Sequence, residues 1–144
     1  MSEETKRQVN YTLILIFMWI LVSVFSPIGV FGKLEGYFFP VMSNIEIEIE
    51  KVEGVETHFI AYAQKYRNCG FDSLEWRIGG KNGTKVKVNF LEGEKIRPEG
   101  DLLLGPWSIF STKEIILDDS YVEATHKCHP FWKTTTVIYD KGES

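Results

Sequence analysis

Tyr121 to Asp140, YVEATHKCHPFWKTTTVIYD, holds two of the three histidines, one of the two cysteines and one of the four tryptophans. His126-x-Cys128-His129 sets two imidazoles and a thiol close together, a soft donor set suited to copper or zinc. On a strand, however, His126 and Cys128 face one way and His129 the other. A single ion would therefore require the corner to bend, with a further ligand, His58 or Cys69, brought in from elsewhere. The simpler chemistry is a disulfide between Cys69 and Cys128, 59 positions apart. Closing a loop of that size stabilises a fold by about 4 kcal/mol on the chain-entropy model. Phe131 and Trp132, beside the His129-Pro130 corner, form a candidate partner-binding patch. Arg97 stands in the Gly- and Pro-containing charged loop 91–101, which reads as a recognition loop. His58 lies alone on a strand, where a structural role is the ordinary one.

Other chemistries find no residues to carry them. The sequence contains no G-x-S-x-G, no H-E-x-x-H and no phosphate-cradling glycine loop. No nucleophile is set beside a base, so no enzyme is expected and no cofactor is implied. The net charge is −4 and lysines alternate with glutamates, which excludes a basic nucleic-acid surface.

Strands must position these residues. Asn44–Glu53 alternates, with Ile45, Ile47 and Ile49 on one face and Glu46, Glu48 and Glu50 on the other. The acidic face discourages edge pairing. Glu56–Tyr66 is apolar on both faces and reads as a central strand. Phe71–Ile78 and Thr84–Phe90 flank Gly79–Gly83, a hairpin loop containing Asn-Gly. Asn82-Gly-Thr also matches a glycosylation acceptor. Leu102–Phe110 is interrupted by Gly105-Pro106, which points to an edge or bulge. Ile115–Leu117 reads as a short strand, and Tyr121–His129 and Thr134–Tyr139 complete the set. Seven or eight short strands without helical period predict an all-β antiparallel β-sandwich over 44–140, immunoglobulin-like by analogy. In that analogy the disulfide joins the two sheets and Trp76 packs against it.

The N-terminal region differs. Tyr11–Phe25 is almost continuously apolar, and residues 11–32 are expected to form one transmembrane helix or signal anchor. Lys6 and Arg7 would keep residues 1–10 in the cytoplasm. A cleaved signal peptide is the rival reading. Residues 33–43 are expected to be a linker whose Tyr37, Phe38 and Phe39 sit at the membrane interface or on the domain base. Residues 141–144 are a polar tail.

Asn68-Cys69, Arg97-Pro98, Gly105-Pro106-Trp107 and the run His126-x-Cys128-His129-Pro130-x-Trp132 resemble a family of short proteins of tailed bacteriophages, prophages and their bacterial hosts. The likeness covers most of the strand-rich region and brings no catalytic residues with it. It implies a phage or bacterial source and an envelope location, where the glycosylation acceptor is moot. The expected protein is a single-pass inner-membrane module with its C-terminal domain outside the cytoplasm. It binds an envelope protein partner without catalysis, in a role related to lysis or superinfection. The alternative is a periplasmic copper- or zinc-binding protein centred on His126, Cys128, His129 and His58.

Overall fold

A computed structural model describes residues 3–25, 29–91 and 97–142. In chain order the elements are α1 (Glu3–Phe25), α2 (Val30–Phe38), β1 (Glu46–Glu53), β2 (Glu56–Lys65), β3 (Gly70–Ile78), β4 (Thr84–Val86), β5 (Asn89–Phe90), β6 (Gly100–Phe110), α3 (Lys113–Asp118), β7 (Ser120–Lys127) and β8 (Thr134–Asp140). The strands form two four-stranded antiparallel sheets, ordered β1-β2-β6-β5 and β4-β3-β7-β8. Alternation explains the layering. The glutamates of β1 are exposed while Ile47 and Ile49 pack on the core. β2 lies between β1 and β6, as its apolar faces predict.

The core sits between the sheets. Phe59 of β2 meets Trp76 of β3 at 5.3 Å and Trp107 of β6 at 5.9 Å between ring centroids. Trp76 donates its indole N–H to Ser120 Oγ at 2.8 Å, so this buried ring keeps its polar atom satisfied. Residues 41–45 stitch the sheets together along one side. Val41 O accepts from Tyr66 N and Ser43 N donates to Gln64 O, both on the β2 side. Ile45 N donates to Ile138 O of β8.

Several expectations need correction. The predicted transmembrane helix over 11–32 is not supported, because among the described residues no helix is long and apolar enough to cross a membrane. α1 begins at Glu3, so its first turns carry Glu3, Glu4, Lys6 and Arg7. Its apolar part, Tyr11 to Phe25, rises only about 22 Å at the helical repeat, against about 30 Å of hydrocarbon. The apolar run does not continue as one helix either. A new helix, α2, starts after Gly29, whose φ is +66°, and it packs on β8. Single-pass placement in an inner membrane with a cytoplasmic N-terminus therefore loses its basis. Residues 26–28, with Pro27 among them, lie outside the described residues.

The immunoglobulin analogy fails at the disulfide. Cys69 precedes β3 and Cys128 follows β7, and these strands are neighbours in one sheet. The bridge extends the β3–β7 ladder by one pair beyond Gly70 and Lys127, with a Cα–Cα distance of 4.6 Å. It does not join the sheets. Residues 33–38, expected as linker, are helical. Ile115–Leu117, expected as strand, is the middle of α3, closed by Ile116 N to Thr112 O and Asp119 N to Ile115 O. A three-residue apolar run is too short to show a period, and only Ile116 is buried.

Candidate functional site

The polar constellation at the β7–β8 corner is built around Glu35, a residue the motifs did not single out. Two glycines bring it there. Gly32 and Gly36 are four apart on α2 and lie against β8, the edge strand of its sheet. A Cβ at Gly32 would overlap the carbonyl oxygen of Lys133, and one at Gly36 that of Thr135. Only glycine lets the helix approach this closely, and the helix in turn occupies the edge strand.

Glu35 then reaches four donors. Its Oε2 accepts from Thr134 Oγ1 at 2.7 Å and Trp132 Nε1 at 2.9 Å, and lies 3.0 Å from His129 Nε2. Its Oε1 accepts from Arg67 Nη2 at 2.7 Å. Arg67 also donates through Nη1 to Phe39 O, just past the helix. Burial would raise the Glu35 pKa. The hydrogen bonds from Thr134, His129, Arg67 and Trp132 outweigh it and hold the carboxyl down at about 2. The charged carboxylate thus clamps α2 to the corner from both sheets' sides.

The corner itself is set by the strand ends. After β7 the chain passes Cys128, His129 and Pro130 and re-enters as β8 at Thr134. The His129 ring meets Trp132 edge-on at 4.1 Å, and Trp132 lies 5.6 Å from Phe31 of α2. Phe131 is 82% exposed and Trp132 40%. The candidate partner-binding pair therefore stands at the surface on a corner fixed by the disulfide and by Glu35.

The proposed metal ligands are dispersed. Cys128 is bonded to Cys69 and offers no thiolate. His126 points into the core, 4% exposed, while His129 faces Glu35 on the other side. His58 lies beside the β1–β2 turn, its Nε2 3.6 Å from Glu53 Oε2. Along β2 it is seven residues from Lys65, about 23 Å of strand. Among the described residues no group of three His, Cys, Asp or Glu side chains could hold an ion.

His126 has its own environment. Phe71 meets its ring at 5.9 Å, and its Nδ1 has no hydrogen-bond partner. Lys65, also buried, donates to Cys69 O at 2.9 Å and Arg97 O at 2.7 Å. Burial first, and the Lys65 ammonium second, push the His126 pKa down to about 4. Arg97 serves this end of the fold through its backbone, while its guanidinium donates to Leu103 O. It is a loop anchor here. The centre of the predicted recognition loop, residues 92–96, lies outside the described residues.

The signal that could have revealed Glu35 is the run Gly32-x-x-Glu35-Gly36. Small residues at helical spacing in an aromatic segment, with one acid beside them, describe a helix that packs closely and brings a charge to meet donors. No protein-family model, no curated protein and no solved structure matches the chain.

Proposed function

We propose that the chain is a non-enzymatic binding module of phage or bacterial origin, working at the cell envelope outside the reducing cytoplasm. One observation carries this reading: Glu35, Arg67 and His129 are engaged in fixing α2, and what they fix in place is an exposed aromatic surface. Glu35 has all four donors satisfied by the fold, and Phe131 and Trp132 project beside it. Rigid aromatic side chains on a supported corner bind at low entropic cost. The Cys69–Cys128 disulfide supports the compartment, because such bonds persist where thiols are not kept reduced.

The test is site-specific photocrosslinking from position 131 in cells that produce the protein. Phe110, 66% exposed at the end of β6, is the control. The reading expects a discrete adduct from position 131 and none from position 110. Equal labelling from both positions, or none from either, would count against it.

A further inference from the structure

The exposed face of α2 is of the wrong character for water. Phe31, Leu34 and Phe38 fall within an arc of about 60° at the helical repeat, opposite the direction that a solvated helix would leave apolar. Phe38 is 67% exposed and Leu34 50%. Phe31 continues onto Trp132, and Trp132 lies 6.5 Å from Phe131, so helix and corner form one aromatic surface. Surfaces of this kind on a folded domain mark an interaction site.

One further feature selects the occupant: the corner is fringed by cations. Lys127 and Lys133 share the single carboxylate of Asp72 at 3.0 and 2.8 Å, which leaves one positive charge in excess in a chain of net charge −4. Aromatic rings with a lysine fringe suit the headgroup layer of an anionic bilayer.

We propose that the face formed by α2 and the Phe131–Trp132 corner docks in the plane of an anionic lipid surface. No crossing of the bilayer is involved. The inference rests on reading the corner as a binding surface and names what that surface meets.

The test uses the full chain and sedimentation with vesicles of phosphatidylglycerol and phosphatidylcholine, or of phosphatidylcholine alone. Binding to the mixed vesicles should exceed binding to the neutral ones and should weaken with salt. A double variant, Phe38→Ser with Phe131→Ser, should bind at least tenfold more weakly, as expected for two rings withdrawn from an apolar layer. Both side chains are exposed, so its melting temperature should match that of the native chain. Should that variant fail to fold, Lys133→Gln replaces it and should reduce the preference for anionic vesicles. Absence of vesicle binding by the native chain overturns the proposal. So does a double variant that binds as well as the native chain, or a dimer that the double substitution dissociates without any vesicle binding. A protein adduct from position 131 without vesicle binding would sink the lipid inference alone. Neither adduct nor vesicle binding would sink the binding-surface reading as well.

Discussion

Acidification should weaken this fold through His126 before it touches the carboxylates. The imidazole is buried against Phe71, and its folded pKa lies at about 4 against an ordinary 6.5. Between those values the unfolded chain takes up a proton that the folded chain refuses. Stability tied to His126 is therefore fully present above pH 6.5 and lost as pH falls toward 4. From pH 7 to pH 5 the linkage amounts to about 2 kcal/mol, rising to about 3 kcal/mol by pH 4. For a domain of this size 2 kcal/mol lowers the melting temperature by roughly 8 °C. The assay is urea unfolding at pH 7, 6 and 5 with the disulfide intact, for the native chain and for His126→Leu. The variant removes the titrating group and its unpaired Nδ1 while filling a similar volume. Its stability should stay nearly flat over this range. A native chain equally stable at pH 7 and pH 5, or a His126→Leu chain with the same slope, would refute the reasoning.

Other consequences are equally open to measurement. Replacing both cysteines, Cys69→Ser with Cys128→Ser, should cost about 4 kcal/mol in urea unfolding, and an unchanged midpoint would contradict the role given to the bridge. Gly36→Ala drives a Cβ into the Thr135 carbonyl and should cost about 1–3 kcal/mol by overpacking, read as a lower melting temperature; a neutral result would show that α2 does not approach β8 this closely. The folded pKa of Glu35, about 2, lies below its ordinary 4.5, so the clamp is at full strength above pH 4.5 and weakens as pH falls toward 2. Carbon-13 titration of the Glu35 carboxyl should place its midpoint well below those of exposed glutamates, and an ordinary midpoint would deny the four hydrogen bonds.

Much of the strand framework was legible because alternation is a local signal. Ile45, Ile47 and Ile49 against Glu46, Glu48 and Glu50 place β1, and the Asn-Gly loop places the β3–β4 hairpin, whose Gly83 N donates to Gly80 O. What alternation does not contain is sheet membership. The spacing of Cys69 and Cys128 fits a bridge between sheets as well as one within a sheet, and only the β3–β7 register decides. The N-terminal region failed for a different reason. Pro27 and Gly29 were visible, but a mean apolar character over residues 11–32 hides the change from α1 to a second helix. In that second helix glycines serve packing, where they had suggested a linker. Phe131 and Trp132 were recognisable as candidates from their place beside the His129-Pro130 corner. Glu35 was not, because its four partners, Arg67, His129, Trp132 and Thr134, lie 32 to 99 residues away and meet only in the folded chain.

Amide hydrogen exchange of α2 tests most directly the claim that Glu35 fixes this helix to the corner and thereby builds the aromatic surface. At neutral pH the amides of Leu34 to Phe38 should be protected with those of β8 in the native chain. In Glu35→Ala they should lose at least tenfold in protection while β3 and β7 keep theirs. Unprotected α2 amides in the native chain, or protection that survives the substitution, would contradict the account.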